Sequence, residues 1–295
     1  MFIIKYKKIF VLISAVLVSL AIISMIFFGL KFGIDFKGGS LLEVKYTELR
    51  PTQSEIEETI KPLYLGTVVV QPMGEDGYSI KTRDITLEEK NSIMLSLGDK
   101  AVELSFNSIG PSVGAELVRK SLISFILVVL GIIFWIAFSF RKVSKPVSSW
   151  KYGLIAIVSL IHDVIIPTGI LALLGYLFGV EIDTLFVVAV LTILALSVSD
   201  TIVVFDRIRE NIRIGHYKTF EETVGQSLNQ VYTRSLATSL TVIIVLLALV
   251  FFGPLSTKFF AIILAIGMFF GTYSSIFLAS PLLVFVNNMQ GKKKN

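Results

Sequence analysis

Long uncharged runs of apolar residues alternate with shorter polar segments along this 295-residue chain. Six of these runs are long enough to cross a bilayer, which takes about 20 apolar residues in a helix. They cover residues 9–30, 122–140, 152–178, 184–205, 235–253 and 259–286. The pattern therefore predicts an α-helical polytopic membrane protein with six transmembrane helices.

The first apolar run follows Lys5, Lys7 and Lys8, as the apolar core of a signal peptide would. It is longer than such a core, and Gly29-Leu30-Lys31 at its end is a poor small-residue cleavage site. We therefore expect this run to be an uncleaved membrane anchor.

One hydrophilic segment, residues 31–118, separates the first apolar run from the second. It contains four stretches typical of strands and two typical of helices, the second of which opens with the capping pair Thr86 and Glu89. The predicted strands are 40–46, 66–71, 78–81 and 102–108, and the predicted helices are 52–62 and 86–97. This β-α-β-β-α-β order is that of a ferredoxin-like α+β domain.

We expect the chain to have three parts. Residues 1–30 contain the N-terminus and the first helix, residues 31–118 form the inserted ferredoxin-like domain, and residues 119–295 contain helices two to six and a basic tail.

Basic side chains mark one side of the predicted bundle. They precede the first helix, link helices two and three, link helices four and five, and end the chain: Lys5, Lys7, Lys8, Arg141, Lys142, Lys145, Lys151, Arg207, Arg209, Arg213, Lys218, Lys292, Lys293 and Lys294. With six spans, all four segments fall on the same side. The positive-inside rule therefore predicts cytoplasmic N- and C-termini and an extracytoplasmic segment 31–118.

Composition narrows the class of protein. Hydrophobic residues make up 54% and charged residues 17% of the chain, whereas soluble domains carry about 25% charge. The net charge of +5 follows from the topology and from contact with anionic lipid headgroups, so we expect no nucleic-acid binding. The chain has no cysteine, and His162 and His216 lack metal-ligand spacing, so we expect no metal site. The sequence contains no recognisable pair of nucleophile and base, so we do not expect an enzyme.

Four ionisable residues fall within or at the end of predicted spans, and a charge at the centre of a membrane helix costs about 2.5–3.5 kcal/mol on insertion scales. Asp200 lies in the fourth helix, His162 and Asp163 lie in the third, and Arg234 opens the fifth. Such costly residues are candidates for a transport site.

The residue pattern leaves two roles open for these groups. Asp200 shares a helix face with Thr192 and Ser199, so we expect it to face the bundle, either as a structural acid or as a carboxylate that takes up and releases a proton. Arg234 either pairs with Asp200 or extends to the cytoplasmic headgroups. His162 is a packing residue or a proton relay.

Small residues spaced four apart on the sixth helix, Gly267, Gly271 and Ser275, predict a ridge that another helix approaches closely. The partner helix belongs either to this chain or to another subunit. Residues 206–233 are the largest predicted cytoplasmic segment. Its apolar Ile208 and Ile212 among arginines suggest an amphipathic helix on the membrane surface.

Two glycine-containing turns flank the inserted domain. The candidate hinge residues of these turns are Gly33, Asp35, Gly38, Gly39, Gly110, Pro111 and Gly114. We expect the two turns to form the mounting between the inserted domain and the membrane helices.

Several segments together resemble a known family. They are residues 33–39 (GIDFKGG), 110–117 (GPSVGAEL), 162–164 (HDV), 197–211 (SVSDTIVVFDRIREN) and 271–281 (GTYSSIFLASP). In order and topology they are similar to the SecF proteins of the SecD–SecF protein-export complex, which is related to RND transporters. The resemblance covers nearly the whole chain.

This resemblance implies an RND-type half bundle in the bacterial cytoplasmic (inner) membrane with a six-span, SecD-like partner. It further implies association with the SecY-E-G channel and the SecA motor, contact with translocating unfolded polypeptide, and the proton gradient as energy source without a cofactor. Asp200 and Arg234 match the family's helix-four acid and helix-five arginine. Where the family commonly has Gly-Tyr-Ser-(Val/Ile)-Asn-Asp, this chain has Leu196 in place of the tyrosine and Ser199 in place of the asparagine.

Three functions remain open at this point. The first is a proton-driven accessory subunit of protein export. The second is a structural scaffold subunit of the translocon, in which Asp200 serves only packing. The third, half of an RND-type small-molecule or lipid exporter, is disfavoured because such exporters usually carry twelve spans and two large outer domains in one chain.

Overall fold

A computed structural model describes residues 2–139 and 148–292 of the protein. Arg141, Lys142, Lys145, Lys293 and Lys294, which contribute to the predicted orientation, lie outside the described residues. The chain divides into two compact units, Met1–Lys31 with Ser124–Asn295, and Phe32–Ile123. We call the first the membrane unit and the second the α/β unit; the boundaries expected from the sequence were 30/31 and 118/119.

The described residues form helices joined mostly by short connections, with one small sheet. The helices are α1 (Phe2–Lys5), α2 (Lys7–Phe28), α3 (Ile34–Lys37), α4 (Gln53–Ile60), α5 (Leu87–Leu97), α6 (Pro111–Ser139), α7 (Ser149–Phe178), α8 (Thr184–Ile214), α9 (Phe220–Phe252), α10 (Leu255–Tyr273) and α11 (Ser280–Lys292). A π-helical segment, Ser274–Ala279, joins α10 to α11. The strands are β1 (Gly39–Tyr46), β2 (Val69–Met73), β3 (Gly77–Thr82) and β4 (Ala101–Ile109).

The α/β unit contains one antiparallel sheet with strand order β2-β3-β1-β4. Leu42 of β1 pairs with Ile80 of β3 and with Phe106 of β4. Side chains of a strand alternate between faces, and the buried set Leu42, Val44 and Tyr46 follows that alternation. The β-α-β-β-α-β order and this strand order are the ferredoxin-like arrangement, and the predicted fold of the domain is confirmed.

Both long helices of the α/β unit begin with a capping box. The Thr52 and Glu55 side chains exchange hydrogen bonds with each other's backbone N–H at the start of α4, and Thr86 and Glu89 do so at the start of α5. These contacts satisfy N–H groups that have no partner within the helix. They explain why both helices begin where the sequence predicts.

Six helices in the described residues are long and apolar enough to cross a membrane, as predicted. Their candidate spans are Lys7–Phe28, Pro111–Ile136, Trp150–Phe178, Thr184–Ile214, Phe220–Phe252 and Ser256–Met289. In the windows through α7, α8 and α10, 56%, 44% and 61% of residues are buried, against 11%, 0% and 17% in α2, α6 and α9. The first three helices therefore form the centre of the membrane unit, while the others leave wide faces for lipid or another subunit.

The predicted surface helix at 206–233 is wrong. This segment forms the end of α8 and the start of α9, joined by a turn that includes Gly215. Ile208 is fully buried in the core of the membrane unit, and Asn211 donates to the Ser227 hydroxyl across the two helices at 2.8 Å. The apolar side chains of the segment 206–233 therefore pack within the membrane unit rather than on lipid.

The ridge on the sixth helix packs against α8 of the same chain. A Cβ atom on Gly267 would lie 2.1 Å from Cδ1 of Ile193, and one on Gly271 would lie 3.1 Å from Cβ of Ser197. The Ser275 hydroxyl is 2.8 Å from the Thr201 hydroxyl. Positions 267, 271 and 275 therefore face 193, 197 and 201 in register, and we call this contact the α8–α10 seam.

Candidate functional site

Asp163 of α7 is fully buried, and both of its carboxylate oxygens have partners. His162 Nδ1 lies 2.8 Å from Oδ1. Ser197 of α8 and Ser274 of the π-helical segment both donate to Oδ2, Ser274 at 2.8 Å. Burying a carboxyl group in this way is tolerated because each oxygen is hydrogen-bonded.

The His162 ring is buried and packs between aromatic side chains. It stacks on Tyr273 with the ring centroids 6.1 Å apart and the planes 17° from parallel, and the edge of Phe270 lies nearby. Nε2 of His162 is buried without a hydrogen-bond partner among the described residues. The imidazole therefore contributes to this site through Nδ1 and its contact with Asp163.

Asp200 of α8 is half-buried and takes its polar neighbours from other helices. Thr272 of α10 donates to Oδ2 at 3.4 Å. Ser239 of α9 hydrogen-bonds to the Thr272 hydroxyl and also interacts with the carboxylate. Three helices thus supply the surroundings of this carboxyl group.

The face shared by Asp200, Thr192 and Ser199 points only partly into the bundle, since Asp200 contacts Thr272 of α10. Ser199 is exposed, and the Thr192 hydroxyl donates to the carbonyl of Val188 in its own helix. This face lies at the edge of the membrane unit because no helix of the described chain covers it fully. Asp200 is consequently reachable from outside the unit, whereas Asp163 is not.

Arg234 is exposed on α9 and is close enough to Asp200 to interact with it electrostatically. The two side chains, both described, do not form a direct ion pair. Thr238 and Thr241 on the same face are also exposed, and each donates to a backbone carbonyl of its own helix. Arg234 thus belongs to an exposed polar stripe on a membrane-spanning helix.

Sequence reasoning missed the residues that connect the two acids. Thr272 and Ser274, two positions apart, contact Asp200 and Asp163 respectively. The available signal was the cluster of hydroxyl side chains at 272–275 inside an otherwise apolar run. The cluster was included in the resemblance but not assigned to the acids.

The two glycine turns meet at the start of α6, within the α/β unit. Gly38 has φ +77°, and a Cβ atom there would lie 2.9 Å from Cα of Pro111. A Cβ atom on Gly114 would lie 3.1 Å from the Gly38 nitrogen and would push the two backbones apart by a few tenths of an ångström, so this approach favours glycine at both positions. Asp35 lies in the short helix α3, where a plain turn was expected.

The remaining residues of these turns lie beside this contact. Gly33 precedes α3 in an extended conformation, and Gly39 begins β1, where a Cβ atom would lie 2.7 Å from the Thr82 carbonyl oxygen. Gly110 precedes α6 and lies near the carboxylate of Asp84. Their role as a hinge stays a prediction.

Family models match most of the chain. Residues 89–289 match the model of the protein export membrane protein SecD/SecF, C-terminal, and residues 23–48 match the SecD/SecF GG motif. The second match covers the first glycine turn, and the first covers both acids.

Curated relatives and solved structures agree with these matches. The chain is 41% identical to the protein translocase subunit SecF of Thermobaculum terrenum (97% of this chain, 94% of the relative), and 36% identical to that of Anaerolinea thermophila (94% and 91%). It is similar to the crystal structure of SecDF, a translocon-associated membrane protein from Thermus thermophilus, with TM-score 0.84 and 28% identity over 97% of this chain. The chain spans 38% of that longer SecDF chain. A structure of SecDF in a super-membrane-facing form matches with TM-score 0.70 over 99% of this chain and 39% of that one, also at 28% identity. The chain therefore belongs to the SecD/SecF family of protein export membrane proteins and is a multi-pass membrane protein of the SecF type.

Proposed function

We propose that this protein is an accessory subunit of the Sec protein translocase that assists polypeptide export across the bacterial cytoplasmic membrane at the expense of the proton-motive force. The relatives named above are protein translocase subunits, and the full-length similarity supports the same role here. The family is a transport component, so the chemistry to be explained is proton coupling rather than catalysis.

The observation that carries the proton coupling is the pair of carboxyl groups inside the membrane unit, Asp163 and Asp200. An ionisable group at membrane depth is costly and marks an ion or proton pathway more often than a packing site. Asp200 is half-buried at an open edge, near Arg234, and touches a hydroxyl group on a neighbouring helix. Asp200 is therefore the group that exchanges a proton and changes its contacts when it does. Asp163, paired with His162, is fully buried.

A SecD-like six-span subunit is the partner that the exposed polar faces fit. Ser199 and Asp200 of α8, and Arg234 and Thr238 of α9, lie on faces that the described chain leaves open. Polar side chains in a bilayer face protein or water rather than lipid. The solved SecDF chain is longer than this one, which spans 38% of it, and the remainder leaves room for a second set of helices.

The remaining assignments extend this proposal. The SecY-E-G channel and SecA are the machinery that the subunit assists, and the cargo is an unfolded translocating polypeptide. We place both termini in the cytoplasm and residues 31–118 on the outer side, following the distribution of lysine and arginine.

The test is Asp200→Asn in a proton-driven export assay. The variant is reconstituted with its SecD-like partner, SecY-E-G and SecA, and export of a reporter is measured with and without a proton gradient. Asp206→Asn is the matched control, because Asp206 lies six positions further along α8 and is an exposed acid paired with Arg209 at 2.6 Å.

We expect Asp200→Asn to insert normally and to lose the gradient-dependent part of export, while Asp206→Asn keeps it. Arg234→Met should weaken the same part of export. Full gradient-dependent stimulation by Asp200→Asn would favour the scaffold function instead. Normal protein export together with loss of small-molecule or lipid efflux would favour an RND-type exporter.

A further inference from the structure

Three consecutive residues at the junction of α10 and the π-helical segment reach three different helices. Thr272 contacts Asp200 of α8, Ser274 donates to Asp163 of α7, and the Tyr273 hydroxyl between them reaches α2. Consecutive helical side chains point about 100° apart, which is why one turn can serve three neighbours. A rotation of this turn would change the contacts of both acids together.

The helix changes type at Ser274. The segment Ser274–Ala279 is π-helical, a form that appears mostly as single turns and frequently at functional sites. The Ser280 hydroxyl donates to the Ser275 carbonyl, five residues earlier, at 3.2 Å. Pro281 follows and has no N–H to offer to an α-helical carbonyl. The wide turn therefore needs a contact that fixes where it begins.

The Ser274–Asp163 hydrogen bond is suited to be that contact, because at 2.8 Å it is shorter than the 3.0 Å approach of the same hydroxyl to the Gly271 carbonyl. Asp163 is held on both oxygens by His162, Ser197 and Ser274, and it is fully buried. Asp200 is less constrained: its hydrogen bond from Thr272 is longer, at 3.4 Å, and Ser239 is its other hydroxyl neighbour. Asp163 therefore fixes the position of the wide turn, whereas Asp200 only makes a weaker contact with it.

Thr272 has more acceptors within reach than it has protons. Its hydroxyl lies 3.4 Å from Asp200 Oδ2 and 3.1 Å from the Met268 carbonyl, and it also hydrogen-bonds to Ser239. A hydroxyl donates one proton, so a small rotation of the turn decides which acceptor receives it. The register of the π-helical segment therefore sets whether Asp200 has a donor.

We propose that Ser274 is a positioning residue for the Asp200 site. Its hydrogen bond to Asp163 holds the wide turn in the register that places Thr272 against Asp200. This inference rests on the proposed function in one respect only, that Asp200 is the proton-exchanging group. The described titratable and charged groups that face this region from α7, α8, α9 and α10 are His162, Asp163, Asp200, Arg234 and Tyr273.

The experiment measures how Asp200 reacts with a hydrophobic carbodiimide, which modifies protonated carboxyl groups, as a function of pH. It uses the chain purified with its SecD-like partner, and peptide mass spectrometry quantifies the label on Asp200. Ser274→Ala is compared with Ser280→Ala, since both serines are fully buried and the Ser280 hydroxyl donates only to a backbone carbonyl among the bonds found for it. Asp200→Asn gives the background.

We expect Ser274→Ala to move the pH of half-maximal labelling by about half a unit or more, a factor of roughly three, which is the scale of one hydrogen bond. Ser280→Ala should follow the unchanged protein. Alanine at 163 has no oxygen to accept from Ser274, so in an Asp163→Ala background the further change Ser274→Ala should move the profile much less than it does in the unchanged protein.

A Ser274→Ala profile that superimposes on that of the unchanged protein would overturn the inference, and so would equal shifts for Ser274→Ala and Ser280→Ala. If Ser274→Ala does not assemble, Ser274→Cys carries the same test, because a thiol is a weaker donor of similar size. Labelling does not depend on export. A shifted profile in a protein whose Asp200→Asn variant still couples export to the gradient would therefore sustain the positioning role and reject the proposed function.

Discussion

Gly169 of α7 lies at the closest approach of α2, and replacing it with alanine should destabilise the membrane unit. A Cβ atom at 169 would lie 2.5 Å from both Cα and Cβ of Ala21 and 2.6 Å from the Ala21 carbonyl oxygen. Carbon atoms pack at about 3.5–4.0 Å, so α2 must move by about 1 Å. The Ser24 hydroxyl, which donates to the Gly169 carbonyl at 2.7 Å, holds α2 at this place.

The expected change in the free energy of unfolding has two destabilising contributions and one stabilising contribution. Overpacking of this kind costs about 1–3 kcal/mol, and a weakened Ser24 hydrogen bond costs about 0.5–1.5 kcal/mol. Alanine instead of glycine within a helix recovers up to about 1 kcal/mol. Together these contributions lower the expected free energy of unfolding of Gly169→Ala by about 0.5–4.5 kcal/mol.

The assay is equilibrium unfolding in mixed detergent micelles, with Gly131→Ala as the matched control. Gly131 is also a glycine within a membrane-spanning helix, but a Cβ atom there would meet no atom within 4 Å, so only the helix-propensity gain applies. Equal stability of the two variants would refute the reasoning. Adding Ala21→Gly to Gly169→Ala should restore only part of the loss, because the overlaps with Cα and the carbonyl oxygen remain.

Two further predictions concern the α/β unit in the full-length protein, both measured by amide hydrogen exchange of β1. Gly38→Ala should destabilise the unit by about 1–3 kcal/mol, since it combines a positive φ with an overlap on Pro111. Gly74→Ala is the control, because Gly74 has a positive φ but no neighbour within 4 Å. A loss for Gly74→Ala as large as that for Gly38→Ala would argue against the overlap as the cause. Burial raises the pKa of Glu43, so its protonated form is favoured by folding and the stability of the unit should fall as pH rises from the ordinary carboxyl range through the raised pKa. Glu43→Gln should remove this decline after correction for intrinsic exchange, and an unchanged decline would contradict the assignment.

The α/β unit was predictable because its signals are local. Thr86 and Glu89 are three residues apart, and their capping box fixes the start of α5 without help from distant residues. The third predicted element, strand 66–71, was displaced to Val69–Met73. Gly66 has a positive φ, and the start of this strand is set by its pairing with β3, which a single-strand pattern does not contain.

The lengths of α8 and α9 show the opposite case. The apolar residues among arginines at 206–213 favoured a helix on the membrane surface, yet Ile208 and Leu228 are buried in the core of the membrane unit. The apolar period continued through the charged stretch. Hydropathy located the membrane spans correctly, but it did not indicate where the helices end outside the bilayer.

Only the acidic residues of the candidate site could be predicted from the sequence. Asp163 and Asp200 are conspicuous in any hydropathy reading, because acids are rare in spans. Ser274 and Thr272 are not, since hydroxyl groups are common in membrane helices and the partner of Ser274 is 111 positions away. Asp200 contacts Thr272 of the bundle, as the sequence pattern predicts, whereas Ser199 on the same helix face is exposed, which the pattern of a single helix does not reveal.

The α8–α10 seam has a consequence for how the sequence can change in length. Its contacts repeat every four residues, at 193, 197 and 201 against 267, 271 and 275. Inserting or deleting one residue between Ile193 and Thr201 would rotate the rest of α8 by about 100° and carry Asp200 away from Thr272. Length variation among SecF chains should therefore fall in the connections at 179–183 and 215–219, and an alignment without gaps across both helices of the seam is the expected signature.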